Sequence, residues 1–456
     1  MTKKELNSEL NPFFYPKNVA VVGVSSKKTN IAKIIVRNLM TMGYKGQVFP
    51  VGSRGGRIFN GPIYKSFDQI GCQIDQAVIM TPAKVVPEIL EQCGRAGIRC
   101  VVIESGGFSE TSKDGKTLED ECIRIAEKYM IRILGPNCIG VTNMENGLVQ
   151  PFLKIHKDIK LGSLSMIAQS GGVGFSYLGA LAEEGLGLNK FISIGNKLNL
   201  DENDMLAYLV EDKGTEIILV YLESFKDGRR FMEIVSGSEK PILVHKANRF
   251  VATSNIARSH TAALFGNDKI VGFALEQSGC VRINSVPEAI DFIKTLLLPP
   301  LKGNRLGVIS PSGGHAVVST DACAKYKFVL PELPVDFLQS IESKFKSDVI
   351  HLQNPMDLGD LFDLSFYEYI IKGILESSNI DGILLIHFCR TGFEREITLD
   401  LFKKIQGLME QYNKPVGTVL FADSSELSFL RQHLRMPFFS GPENVAKAFH
   451  LSLNGK

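Results

Sequence analysis

Apolar, β-branched runs recur along this chain, each closing on small or polar residues and each followed by a stretch whose apolar positions repeat with helical spacing. The first run, Asn18-Val19-Ala20-Val21-Val22, ends in Gly23-Val24-Ser25-Ser26 and precedes a helical pattern over Ile31 to Met42. Further strands are expected over 47–51, 76–80, 101–103 and 131–134, with helices over 85–96 and 116–129 between them. The pattern resumes with strands over 163–168, 190–194, 217–222 and 242–245. It is broken by Pro299-Pro300 and Gly303-Asn304, then restarts at Leu306, with later strands over 382–387 and 415–420.

Alternation of this kind predicts parallel, doubly wound sheets covered by helices on both faces. A chain of 456 residues is too long for one hydrophobic core, and three domains are expected. The reading is an α/β protein: an N-terminal Rossmann-like domain over 1–148, followed by two flavodoxin-like doubly wound domains over 149–298 and 304–456. Ligands of such sheets sit beyond the carboxyl ends of the strands. The clusters there are Gly23–Ser26, Gly52-Ser53-Arg54-Gly55-Gly56, Thr81-Pro82-Ala83, Glu104-Ser105-Gly106-Gly107 and Gly135-Pro136-Asn137.

Composition narrows the class. Hydrophobic residues make up 44% and charged residues 22%, with 42 glycines, as in a folded α/β protein rather than a disordered or fibrous one. A net charge of +2 provides no strong field for nucleic acid or a membrane surface. The first residues lack a signal-peptide core, no long apolar run is present, and the eight cysteines are scattered without a CxxC. A cytoplasmic protein with reduced thiols is expected. Cys138, in Gly135-Pro136-Asn137-Cys138-Ile139-Gly140, is read as a small core residue.

Two strands run into the same turn, Ser170-Gly171-Gly172 and Ser312-Gly313-Gly314. Read alone, each is equally an ordinary Ser-capped strand-to-helix turn. As a pair they suggest phosphate cradles, since a helix start offers unpaired N–H groups and the positive end of its dipole. Between them lies Arg258-Ser259-His260-Thr261. His260 has no His, Cys or carboxylate at ligand spacing, so metal binding is not expected; it is a candidate general base or phosphate-accepting nucleophile. Glu223, which ends the 217–222 strand, is a candidate for holding the other imidazole nitrogen. The first turn, Gly23-Val24-Ser25, lacks the second glycine of a dinucleotide fingerprint, which argues against a nicotinamide cofactor.

In combination these motifs resemble the alpha subunit of nucleoside-diphosphate-forming acyl-CoA synthetases, a group related to succinyl-CoA synthetase. The resemblance spans nearly the whole chain and implies an N-terminal CoA-binding domain followed by two ligase domains. It implies that His260 is phosphorylated, that Ser170-Gly171-Gly172 and Ser312-Gly313-Gly314 hold the phosphoryl group, and that Glu223 orients the histidine. For CoA it implies a slot formed by Gly23, Ser25, Ser26, Lys33, Val51, Arg54, Thr81, Pro82, Glu104 and Asn137. Asn354-Pro355-Met356-Asp357-Leu358 resembles the signature of the family's last domain. The loop after His260 departs from the family, with Ala262 and Ala263 where relatives carry Gly and Ser, and with the added bulk of Phe265.

No ATP-grasp domain or Walker motif is recognisable. The resemblance therefore implies that ADP or ATP and Mg2+ bind to a separate ATP-grasp beta subunit, in a heterotetramer. The alternative from another class is a CoA- or acyl-CoA-binding regulatory protein that has lost ligase activity.

Overall fold

The computed structural model describes residues 3–155, 159–250, 267–344, 352–359, 364–390, 392 and 394–454. It forms two compact units, Met1–Glu183 with Gly187–Asn284, and Glu184–Leu186 with Ser285–Lys456.

The first unit contains two sheets. One is built from β1 (Asn18–Val22), β2 (Gln47–Val51), β5 (Gln76–Ile79), β6 (Cys100–Ile103) and β7 (Arg132–Leu134), all parallel, in the order β2-β1-β5-β6-β7. A small hairpin of β3 (Gly56–Ile58) and β4 (Gly61–Ile63) follows β2. The other sheet has five parallel strands, β10 (Leu161–Ala168), β11 (Leu188–Ser193), β12 (Ile217–Leu222), β13 (Ile242–Lys246) and β14 (Val281–Ile283). Two short strands, β8 (Val141–Asn143) and β9 (Leu148–Val149), extend its edge in antiparallel fashion, giving the order β14-β13-β12-β10-β11-β8-β9. The second unit carries β15 (Leu306–Ser310), β16 (Met356–Asp357), β17 (Gly382–Cys389), β18 (Val416–Ala422) and β19 (Phe438–Phe439), in the order β16-β15-β17-β18-β19.

Every residue of β11 and β12 is buried, and β12 reads as an unbroken apolar run. The one charge among them, Lys190, pairs its ammonium with Asp212 at 2.9 Å and Glu145 at 3.4 Å. That pairing is what makes a fully buried lysine tolerable. Helix starts are capped as their sequences predict: Ser112 accepts from Gly115 N, Asp201 forms a capping box with Asp204, and Ser285 accepts from Glu288 N.

Two segments pack away from the domain to which their sequence position assigned them. Residues 141–143, expected in the first domain, pair with β11 of the second sheet, where Lys190 faces Asn143, and β9 adds to β8. The helix Val286–Leu296, expected in the second domain, packs on the helix Pro442–Asn454 of the second unit, with Asn444 donating to Asp291 at 2.6 Å. Its buried face of Ala289, Ile290, Phe292 and Ile293 would suit either neighbour, so sequence order alone did not reveal its partner.

In each of the three sheets the first parallel strand has the next one on one side and the third on the other. The crossovers therefore diverge at β1/β5, at β10/β12 and at β15/β17, and each divergence opens a crevice at the carboxyl ends of those strands.

Candidate active site at the sheet switch points

The crevice at β1/β5 is a cleft of about 720 Å³ lined by the turns after β1, β2, β5 and β6. Gly23, Ser25, Arg54, Thr81 and Pro82 all reach it, together with Lys27 and Asn30. Gly23 has φ +100°, and a Cβ there would collide with the Met80 carbonyl, so only glycine lets the two strand ends approach this closely. Asn30 ties the turn down: its Oδ1 accepts from Ser25 N and Lys33 N, both at 3.2 Å, and its Nδ2 donates to Gly23 O at 2.9 Å. Lys27 and Arg54 make the mouth cationic, which suits a phosphorylated ligand.

The other expected slot residues stand elsewhere. The Val51 carbonyl accepts from Gly23 N and Val24 N, shaping the turn rather than facing the cleft. Ser26 is exposed outside the lining, and Lys33 donates to the Lys27 carbonyl at 3.1 Å. Glu104 is buried against Gly140, and its carboxylate has no hydrogen-bond partner among the described residues. Burial pushes its pKa well above the usual carboxylate range.

Asn137 bridges to the second crevice. It has φ +57° in the turn after β7, sits near Gly106 on the cleft rim, and donates to Asn196 Oδ1 at 3.3 Å. Asn196 in turn donates to Glu110 at 2.7 Å, and Glu110 accepts from Gly107 N at 2.7 Å. The next residue, Cys138, is buried with its thiol on the Ile103 carbonyl at 3.3 Å, and burial pushes its pKa up; this is a packing residue, not a nucleophile.

At β10/β12 the chain leaves β10 through Gln169 into Ser170-Gly171-Gly172 and the helix Gly171–Glu183. A Cβ on Gly171 would lie 2.7 Å from Ile139, so the turn is pressed against the Asn137 loop, whereas Gly172 has open space above it. Glu223 follows β12. Gln169 Oε1 accepts from the N–H groups of both Glu223 (2.9 Å) and Ser224 (3.2 Å). Burial, and then the negative charge of the nearby Glu223 carboxylate, pushes the Tyr221 phenol pKa up, so the hydroxyl keeps its proton. The structure thus brings the first Ser-Gly-Gly turn and Glu223 together. His260 lies outside the described residues.

At β15/β17 Ser312 caps the helix Gly313–Lys325, accepting from His315 N at 3.4 Å, and its Oγ also meets His315 Nδ1 at 2.8 Å. The His315 ring lies against Phe388 and Phe421, with centroids 5.4 and 5.2 Å away. Asp357 ends β16 beside this turn, 3.0 Å from where a Gly313 Cβ would be. The second turn therefore has a carboxylate and an imidazole beside it, Asp357 and His315. Asn354 stitches this edge, accepting from Val308 N at 3.0 Å and donating to the Leu306 and Pro331 carbonyls at 2.9 Å. Sequence reading had missed Asn30, Gln169, Tyr221 and Asn196; only Gln169, directly before the first turn, was signposted by position.

Such switch-point sites define the class as a doubly wound α/β ligand-binding protein, and comparisons with known proteins supply the family. Residues 17–144 match the profile of the CoA binding domain, and residues 161–296 that of the succinyl-CoA ligase like flavodoxin domain. The chain is 35% identical over 455 residues to acetate–CoA ligase (ADP-forming) I subunit alpha of Pyrococcus furiosus, covering 96% of each protein. It is 33% identical over 419 residues to acetate–CoA ligase (ADP-forming) II of Archaeoglobus fulgidus, covering 90% of this chain but 61% of that protein. Among solved structures, the dinucleotide-forming acetyl-coenzyme A synthetase 1 of Ca. Korarchaeum cryptofilum, in complex with phosphate and ADP, superposes with a TM-score of 0.86 at 29% identity, covering 98% of this chain and 96% of that one. The chain belongs to the family of ADP-forming acyl-CoA ligases. Among the described residues no helix is long and apolar enough to cross a membrane.

Proposed function

We propose that this chain is the alpha subunit of an ADP-forming acyl-CoA ligase, interconverting acyl-CoA, phosphate and ADP with a carboxylic acid, CoA and ATP. The observation that carries this reading is the joining, within one compact unit, of the β1/β5 cleft to the Ser170–Glu223 crevice through Asn137 and Asn196. A thioester whose CoA occupies the cationic cleft would present its acyl end toward the first Ser-Gly-Gly turn.

Phosphate attacks the thioester carbonyl, the thiolate leaves, and an acyl phosphate remains. His260 then attacks phosphorus, the carboxylate leaves, and a phosphohistidine forms. Helix N–H groups at Ser170-Gly171-Gly172 stabilise the transferring phosphoryl charge, and Glu223 fixes the imidazole tautomer so that the other nitrogen is the nucleophile. ADP finally takes the phosphoryl group.

The nucleotide and Mg2+ sites are assigned to a separate ATP-grasp beta subunit, in a heterotetramer. In support, the Pyrococcus relative of the same extent is named a subunit alpha, whereas this chain spans 61% of the Archaeoglobus protein, which carries no subunit designation. The class fits a cytoplasmic enzyme. Co-expression with such a partner and incubation with radiolabelled ATP should label this chain on His260. A His260→Asn variant that turned over at the normal rate would refute the mechanism.

A further inference from the structure

Lys246 ends β13 with a buried side chain, and its ammonium donates to two backbone carbonyls, Glu223 O at 2.8 Å and Ala247 O. No carboxylate pairs with it among the described residues. Its neighbour Lys197 is equally buried, but is neutralised by Glu202 at 3.0 Å, and donates to Ser224 O at 2.8 Å. With Gln169 holding the N–H groups of Glu223 and Ser224, both carbonyls of this dipeptide are gripped by buried ammonium groups.

A lysine buried against carbonyls alone is a poor way to stabilise a strand end, because desolvating the charge costs more than the two dipoles return. The site gains instead a fixed backbone beneath Glu223 and a positive charge beside a crevice meant for a phosphoryl group. We propose that Lys246 is a positioning residue of the phosphoryl-transfer site, holding the Glu223 carbonyl so that the carboxylate keeps one orientation. This rests on the function proposed above.

The charged groups facing Lys246 are Asp268 and Arg282 from the β14 side, Glu223 from β12 and Lys197 from the loop after β11. Asp268 is already engaged by Arg282 and by Arg249. Burial outweighs the acidic neighbours and lowers Lys246 to about 8. The grip is therefore complete below pH 8 and weakens as the ammonium deprotonates above it.

The test uses the full-length chain with its partner, acetyl-CoA and radiolabelled inorganic phosphate, following acid-labile label on the protein between pH 6 and 10. In the wild type the labelling rate should break downward near pH 8. Lys246→Arg, which keeps its charge, should move that break up by about one unit or more. Lys246→Met should label at least about tenfold more slowly at pH 7, with CoA affinity in the remote cleft unchanged. Identical rates and identical breaks in all three proteins would overturn the proposal. If Lys246→Met loses CoA binding through misfolding, the Lys246→Arg profile decides, an unmoved break counting against it. A wild-type chain that takes up no label refutes the ligase reading, and this inference with it.

Discussion

His387 offers a quantitative check on the fold of the second unit. It sits in β17, 3% exposed, with edge-on contacts to Tyr367 at 5.5 Å and Phe402 at 5.4 Å, and neither ring nitrogen has a hydrogen-bond partner among the described residues. Burial lowers its pKa from 6.5 to about 4, against a weaker opposing pull from Glu394. The folded state therefore holds the ring neutral between pH 6.5 and 4, while the unfolded chain takes up a proton there. Stability from this group is complete above pH 6.5 and falls as the pH drops toward 4. A shift of 2.5 units at 1.36 kcal/mol each amounts to about 3 kcal/mol over that window.

His387→Leu removes the titrating group and its two unpaired nitrogens together, so at pH 7 it should change stability by no more than about 1 kcal/mol. At pH 4 the variant should be the more stable protein by about 3 kcal/mol. Hydrogen exchange of the Gly382–Cys389 amides, measured from pH 4 to 7 in both proteins and corrected for intrinsic rates, reads that difference. Stability curves that run parallel across the window would show that the imidazole is not held neutral, and would refute the burial argument.

Other expectations follow from single contacts. Gly23→Ala combines positive-φ strain with a backbone collision and should weaken CoA binding at least about tenfold by calorimetry. Gly43→Ala, at φ +75° with nothing within 4 Å, bears only the strain, about 1 kcal/mol, and should bind CoA normally. Asn354→Ala deletes three hydrogen bonds and should destabilise the second unit by about 2–4 kcal/mol, read as a lower denaturant midpoint. Of the eight cysteines only Cys72 is exposed, so a thiol reagent should react rapidly once per native chain and eight times in denaturant. Rapid reaction at two or more thiols would contradict the burial of the rest.

Much of this architecture was legible from the residue pattern. Strands buried on both faces read as largely apolar runs, and β1, β12 and β15 announce themselves in that way. Turns that bring backbone against backbone need glycine, as Gly23 does against the Met80 carbonyl. Carboxyl-end residues such as Thr81 and Glu223 follow once the strands are placed. Other features left no such trace. A two-residue strand such as β9 is too short to show a period, and its pairing with the second sheet is a choice between edges. Glu104 looks like any strand-end carboxylate, yet it is buried and its pKa is pushed up, which depends on which helices and loops close over it.

Sequence alone therefore determined the α/β class and the position of each parallel strand's polar end, because local burial and backbone geometry restrict what can stand there. Tertiary structure alone decided which of those ends share a crevice, which helix joins which unit, and how Gln169, Lys197 and Lys246 converge on the Glu223 backbone. Those are contacts between segments far apart in the chain, and their hydrogen bonds and charges have no period that a linear pattern can carry.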